Sequence, residues 1–266
     1  MNNHKPITPT LLITGASSGI GKATAALFAE RGYQVFDLSR RGTIPCDVTN
    51  EESVKSAVAE VMRRTDHIDV LILNAGFGIS GPAECTPIAD VRRQMEVNFT
   101  GAVTVVQHLL PHMRQRRQGR IIFTSSVAAI LPIPYQSFYS ASKAAINAFA
   151  LALQNEVRDY GICVSVLMPG DVKTGFTAAR KKVNASTRNA QLSASYPHAE
   201  QAVAAMERDE QHGLTPQAMA RCLYRIATAR HPRPQYIGGA EYHLFAFLHW
   251  LLPQRLVNYI VGRLYS

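Results

Sequence analysis

Thr14-Gly15-Ala16-Ser17-Ser18-Gly19-Ile20-Gly21 follows the apolar run Leu11–Thr14 and leads into a helical pattern over Lys22–Arg31. Glycine tolerates tight turns and lets a backbone approach a bulky anion closely. A helix N-terminus adds free N–H groups and the positive end of the helix dipole. A strand, a glycine-rich turn and a helix in that order predict a phosphate cradle. Glycines alone are a weak sign, and their place between a first strand and a first helix strengthens it. Gly15, Ser17, Ser18, Gly19, Ile20 and Gly21 are the candidate pyrophosphate contacts.

Outward from this loop, apolar runs alternate with helical patterns. Gly32 stops the first helix. Val35–Leu38, Val70–Leu73, Arg120–Thr124 and Ile162–Met168 read as strands. Glu51–Arg64, Asp90–Arg117 and Ala141–Tyr160 read as helices. Such alternation predicts an α/β fold, a parallel sheet with helices on both faces. The 266 residues, 47% hydrophobic, suit one domain with a sizeable core, and no repeat or low-complexity linker divides them.

The end of the second strand discriminates between the two nicotinamide dinucleotides. A free ribose 2′-hydroxyl is usually held by an acidic residue there, and a 2′-phosphate by a cation. The strand ends Asp37-Leu38-Ser39-Arg40-Arg41, with Ser39 and Arg40 lying 18 and 19 residues past Gly21. A guanidinium suits a phosphate through its planar, bidentate fork. NADP(H) is therefore the expected cofactor, with Ser39 and Arg40 as its readers. The competing reading makes Arg40 a solvated loop residue and Asp37 the reader.

Composition narrows the partners. The net charge is +9, with basic clusters at Arg114, Arg116, Arg117 and Arg120 and at Arg180, Lys181 and Lys182. No nucleic-acid motif accompanies them, so no nucleic-acid partner is expected. Solvated helix ends and a field attracting anionic ligands explain the charge. The four cysteines are scattered, and neither they nor the nine histidines show metal spacing. This points to a reducing, cytoplasmic setting without a bound metal. The polar N-terminus lacks a signal-type apolar stretch, and no apolar run is long enough to span a bilayer.

Tyr139-Ser140-Ala141-Ser142-Lys143 carries the chemistry. A tyrosine and a lysine four apart in a helix stand one turn from each other. A phenol holds its proton near pH 10, and a nearby ammonium is expected to lower that value and make the tyrosine a usable proton donor and acceptor. With a phosphate loop upstream, the combination points to redox chemistry on a carbonyl or alcohol.

Taken with Asn74-Ala75-Gly76, these motifs make residues 10–176 resemble the short-chain dehydrogenase/reductase family. The resemblance implies a single Rossmann-type domain, doubly wound around a seven-stranded parallel sheet. It implies a short strand between Leu38 and Asp47 that periodicity does not reveal. Only six residues separate Arg40 from Asp47, so the family's helix there must be absent or a single turn. Asp47 and Val48 match an adenine-contacting pair. Asn74, Ala75 and Gly76 match a motif that steadies the sheet beside the cofactor's ribose. Pro169-Gly170-Asp171-Val172-Lys173-Thr174 matches a nicotinamide-holding loop, with Pro169, Gly170, Val172 and Thr174 as its contacts. Asn98 matches the asparagine of a catalytic tetrad, and its bland alternative is a buried residue bonding a neighbouring strand. The tetrad serine is Ser126, thirteen residues before Tyr139, and strand alternation turns the adjacent Ser125 away. Ser126 would donate to the substrate oxygen and Tyr139 would deliver the proton. Lys143 would hold the nicotinamide ribose, and Asn98 would position a relay water. Dimers or tetramers through the helices near 98–117 and 141–160 are implied as well. A non-catalytic, NADPH-binding regulatory or scaffold protein of this fold is the second functional class.

Substrate choice falls to segments outside these motifs. Phe77, Gly78, Ile79, Ile130, Leu131, Pro132, Tyr135, Met168 and Phe176 are candidate pocket residues. Their apolar character suggests a hydrophobic ketone or alcohol of steroid, retinoid or acyl-chain type. Thr177–Leu214 is polar and weakly patterned, either a mobile lid or a surface helical insert. The tail Tyr242–Tyr265 is strongly apolar and broken at Pro253. Three readings stay open for it: packing on the core or a subunit, a pocket wall, or reversible membrane contact through short amphipathic pieces. Packing on protein is the commonest fate of such helices.

Overall fold

The computed structural model describes residues 8–183 and 195–265. Strands β1 (Thr10–Thr14), β2 (Gln34–Ser39), β3 (Ile44–Pro45), β4 (Val70–Leu73), β6 (Gly119–Thr124), β7 (Ile162–Pro169) and β9 (Gln235–Gly238) form one parallel sheet in the order β3-β2-β1-β4-β6-β7-β9. Helices α1 (Gly19–Glu30), α2 (Glu51–Arg64), α3 (Ile88–Met95), α4 (Gly101–Arg116) and α5 (Ser137–Val157) follow the strands. Beyond β7 come α6 (Phe176–Ala179), α7 (Ala199–His212) and α8 (Pro216–Thr228). The tail forms α9 (Ala240–Leu251) and α10 (Gln254–Leu264). Strands β5 (Ile79–Ser80) and β8 (Lys181–Lys182) pair separately and tie the segment after β4 to the segment after β7.

Side chains alternate across the sheet, as strand geometry requires. Leu12, Phe36, Leu71, Ile121 and Phe123 join one buried cluster with α2, α4 and α5. Leu11, Ile13, Val70, Ile72 and Ile122 join the other with α1 and α8. Both faces are covered, which is why the strands read as continuous apolar runs. The chain leaves β1 for β2 on one side and returns to β4 on the other. The carboxyl ends of β1 and β4 therefore flank the crevice where such sheets bind ligands.

Asn50 caps α2 by accepting from the Ser53 N–H, and Glu51 and Glu52 complement its dipole, so the helix begins where periodicity placed it. The Asp90–Arg117 pattern is divided by a π-helical segment at Glu96–Thr100. A single π turn has no composition of its own, so the sequence pattern did not mark the break. The α5 helix starts at Ser137 rather than Ala141, which puts Tyr139 in its first turn. No helix intervenes between β2 and β3.

The Thr177–Leu214 expectation falls partly on 184–194, outside the described residues. Its described remainder is anchored. Ala199, Ala202 and Met206 form a buried face of α7. Arg180, expected in a solvated basic cluster, is only 5% exposed and pairs with Glu210. Lys181 pairs with Asp90 and Lys182 with Glu207.

Candidate active site

A cleft of about 700 Å³ runs across the carboxyl ends of the strands. Gly15, Ser17, Ser18, Gly19 and Ile20 line its middle. Ser39, Arg40, Arg41, Asp47 and Val48 line one end, and Ser126, Tyr139, Lys143 and Phe176 the other.

Gly15 adopts φ +71°, a region that favours glycine, and a Cβ there would meet the Ala75 backbone at 2.8 Å. A Cβ on Gly21 would sit 2.2 Å from the Gly15 carbonyl oxygen, so α1 can start this close to the turn only with glycine present. The N-cap Ser18 makes no side-chain capping bond, and the first turn holds no acidic residue. The uncapped N–H groups of α1 thus face a cleft that suits a pyrophosphate. Asn74 Nδ2 donates to the Gly15 carbonyl at 3.1 Å. The Asn74 and Ala75 N–H groups both donate to Thr14 Oγ1. These bonds pin the ends of β1 and β4 beneath the cleft.

At the β2 end, Asp37 turns back under the loop. Its carboxylate accepts from the Ala16 N–H at 3.3 Å and from Ser39 Oγ at 3.1 Å. Arg40 and Arg41 face the cleft, and Asp37 is absent from its lining. Asp47 Oδ1 accepts from the Thr49 N–H and hydroxyl, which hold its carboxyl below the usual range. The donors, a free helix N-terminus, a serine and two arginines, suit the phosphates of a nicotinamide dinucleotide.

At the other end, strand alternation separates the two serines. Ser125 Oγ donates to the Lys143 carbonyl at 3.1 Å and is buried. Ser126 accepts from the Ala128 N–H, and its hydroxyl hydrogen-bonds the Tyr139 phenol. Lys143 is 4% exposed. Its ammonium donates to the Thr124 carbonyl at 2.9 Å and stands 5.7 Å from the Tyr139 ring centre.

The electrostatics differ from the expectation that Lys143 lowers the Tyr139 pKa. Burial pushes the phenol up to about 12, with the Ser126 hydrogen bond acting against that rise. Burial likewise pushes the Lys143 ammonium down to about 8. Its Nζ is directed at a backbone carbonyl instead of the phenol oxygen, and desolvation outweighs mutual support between the two groups.

Asn98 is fully buried in the π-helical turn. Its Oδ1 accepts from the Phe77 N–H at 2.9 Å, and its Nδ2 donates to the Phe77 carbonyl and to Ser142 Oγ, each at 3.0 Å. The amide is wholly engaged in holding the segment after β4, which is the bland reading of this residue. Pro169, Gly170, Val172 and Thr174 line the cleft beside Tyr139.

The expected substrate pocket is revised. Phe77 and Phe176 line the cleft, and the Phe176 ring lies 5.6 Å from that of Tyr139. Gly78, Ile79, Ile130, Leu131, Pro132, Tyr135 and Met168 do not line it. Met168 belongs to the core, and Ile79 is buried in β5. Ile133 and Gln136 line it instead, joined by Asp171, Met206, Glu210 and Tyr265. The apolar surface of Met206 on α7 could have marked it in the sequence. Nothing in the local pattern marks Asp171, Glu210 or Tyr265.

Glu210 Oε2 accepts from Thr177 Oγ1 at 2.6 Å, and its other oxygen pairs with Arg180. Asp171 accepts from the Tyr242 hydroxyl, and burial raises its carboxyl. Glu210, Asp171 and Arg180 all act electrostatically on the Tyr139 phenol.

Together the fold and cleft define a dinucleotide-binding oxidoreductase with a tyrosine and a lysine at its reactive end. Residues 9–185 match the family described as short chain dehydrogenase. A 3-ketodihydrosphingosine reductase from Bacteroides thetaiotaomicron is 36% identical over 265 residues, covering 96% of this chain and 97% of the relative. An NADPH-dependent 3-dehydrocapnine reductase from Ornithobacterium rhinotracheale is 29% identical over 270 residues, covering 94% of each. A solved short-chain dehydrogenase from Streptomyces avermitilis superposes with a TM-score of 0.83 at 26% identity, covering 92% of this chain and 93% of that one. The chain belongs to the short-chain dehydrogenase/reductase family, and its class of chemistry is oxidation or reduction at carbonyl and alcohol groups.

Proposed function

We propose that this protein is an NADP(H)-dependent reductase of a long-chain ketone carrying a cationic head group. The observation that carries the reading is the convergence of Ser126, Tyr139 and Lys143 at one end of a cleft whose other end presents Arg40. NADPH, when bound, supplies the hydride. Ser126 Oγ donates a hydrogen bond to the substrate oxygen as negative charge builds on it, and the Tyr139 hydroxyl delivers the proton. A donor aimed at developing charge stabilises the transition state more than the ground state. Lys143 Nζ would hold the cofactor's ribose hydroxyls. The Asn98 amide is committed to Phe77 and Ser142, so its side chain is not free to position a relay water.

The cofactor choice is supported by Arg40 and Arg41 in the cleft and by the engagement of Asp37 elsewhere. The 3-dehydrocapnine reductase, named as NADPH-dependent, agrees with it. The substrate class is supported by the wall facing Tyr139. Phe77, Phe176, Ile133 and Met206 accommodate an apolar chain. Glu210 is paired with Arg180, whereas Asp171 at the same end of the cleft is bonded to the Tyr242 hydroxyl and to no cation among the described ion pairs, so a substrate ammonium would be its counter-charge. The ketodihydrosphingosine reductase is named for a ketone, in accord with this reading.

NADPH absorbance followed with 3-ketodihydrosphingosine, with its N-acylated derivative as control, is the direct test. Turnover of the free amine in preference to the acylated form is expected. Tyr139→Phe is expected to abolish turnover and retain NADPH binding. Equal turnover of both ketones would remove the cationic head group from the reading. Near-normal activity in Tyr139→Phe would overturn the mechanism.

A further inference from the structure

Among the described residues, twelve large hydrophobic side chains are exposed, and nine of them lie between Leu244 and Leu264. The α9 helix carries apolar side chains on every side, interrupted only by Glu241, His243 and His249, yet has no buried residue. Helices of that kind ordinarily lie inside protein or lipid. Phe247, Trp250 and Leu251 point outward, Trp250 with 78% of its surface accessible. In α10 only Val257 is buried. Leu256, Ile260 and Leu264 recur every four residues on an exposed face. Folding has turned the apolar stripe away from the core, and a patch of this extent marks a contact surface.

The charge pattern identifies the occupant. No Asp or Glu occurs after Glu241. Arg255 and Arg263 are the charged residues of the segment, both exposed, and the whole chain carries +9. A two-fold contact with a second copy would set this segment, which has no Asp or Glu, against itself and bring its two arginines toward those of the partner. An anionic bilayer supplies both the apolar depth and the negative surface. Tryptophan and tyrosine, here Trp250 and Tyr259, favour the boundary between lipid chains and water.

The patch also adjoins the reactive cleft. Tyr265, at the end of α10, lines the cleft beside Glu210, and burial pushes its phenol up to about 12. At the start of α9, Tyr242 packs on Gly170 and bonds Asp171. We infer that α9 and α10 form a bilayer-docking hairpin for anionic lipid, placed so that the cleft opens beside the membrane surface. Delivery of a lipid substrate through this contact rests on the ketone-reductase reading, and the docking itself does not. No helix of the described chain is long and apolar enough to cross a membrane, so the contact lies in the interface plane.

Trp250 is the sole tryptophan, so its emission reports on the patch directly. Full-length protein is titrated with vesicles of phosphatidylcholine alone and with vesicles containing phosphatidylglycerol, some with brominated chains. A blue shift, quenching by brominated lipid and cosedimentation, all stronger with phosphatidylglycerol and weakened by salt, are expected. Phe247→Glu/Leu251→Glu, which keeps Trp250, is expected to lose cosedimentation and keep turnover of a water-soluble ketone. Arg255→Glu/Arg263→Glu is expected to weaken binding to the anionic vesicles by about tenfold or more. Emission unaffected by either vesicle would overturn docking even if NADPH oxidation proceeds. A shift that follows protein concentration without lipid, together with a change of sedimentation coefficient in Phe247→Glu/Leu251→Glu, would assign the patch to a second copy and overturn it as well.

Discussion

The Tyr242 hydroxyl donates to the Asp171 carboxylate and accepts from the Asp171 N–H at 3.1 Å, so one phenol fastens the tail to the loop after β7. Its ring covers Gly170 so closely that a Cβ there would lie 2.0 Å from Tyr242 Cε2. Replacing Tyr242 by Phe keeps the ring and removes two bonds, the one donated to the largely buried Asp171 carboxylate and the one accepted from the Asp171 N–H. A loss of about 1–3 kcal/mol in stability is expected, with faster proteolysis of the tail. Thermal melting and limited proteolysis check this, and an unchanged tail would mean that ring packing alone holds it. Gly170→Ala should be worse, because the clash is with a ring fixed at both ends.

The adjacent serines should separate function from stability. Ser126→Ala is expected to lower kcat by about 10²–10³ with little change in melting, because its hydroxyl meets the Tyr139 phenol. Ser125→Ala is expected to cost about 1 kcal/mol of stability through its buried bond to the Lys143 carbonyl. Steady-state kinetics beside thermal melts would reveal the reverse pattern if the strand register were shifted by one residue.

Arg40→Ala should raise KM for NADPH by about tenfold to a hundredfold, the worth of a charge-assisted hydrogen bond, and leave KM for NADH nearly unchanged. Equal effects on the two cofactors would return the reading to Asp37. That outcome would require its carboxylate to leave the Ala16 N–H and Ser39 Oγ.

Stability of the cofactor-free protein should follow the two buried groups. Lys143 falls from 10.5 to about 8, so between those values the unfolded chain binds more protons than the folded one and stability rises with pH. Tyr139 rises from 10.0 to about 12, so above pH 10 the folded chain retains a proton that the unfolded chain releases, and stability falls. Wild type should therefore gain on Lys143→Met between pH 8 and 10, by at most ~3 kcal/mol. Melting curves across that range test it, and parallel curves for the two proteins would show that Lys143 titrates normally.

Much of the fold was legible because long elements average their local noise. Glu51–Arg64 and Val70–Leu73 lie where periodicity placed them. Ile44–Pro45 and Gln235–Gly238 were not legible from pattern, since two to four residues contain too few alternations to stand out, and both exist by pairing with a longer neighbour. The pocket wall was misread for a related reason. Ile79 and Met168 are apolar and adjacent to motifs, but the sheet turns them into β5 and the core.

The sequence by itself determined the parallel sheet, the glycine turn at its switch point and the spacing of Tyr139 and Lys143, because each follows from periodicity or steric demand within a few residues. Only the tertiary structure decided that burial and not charge support sets the Tyr139 and Lys143 pKa values, and that the apolar tail faces outward. Those outcomes depend on the distance and solvent exposure of groups far apart in the chain. A local pattern carries no record of either.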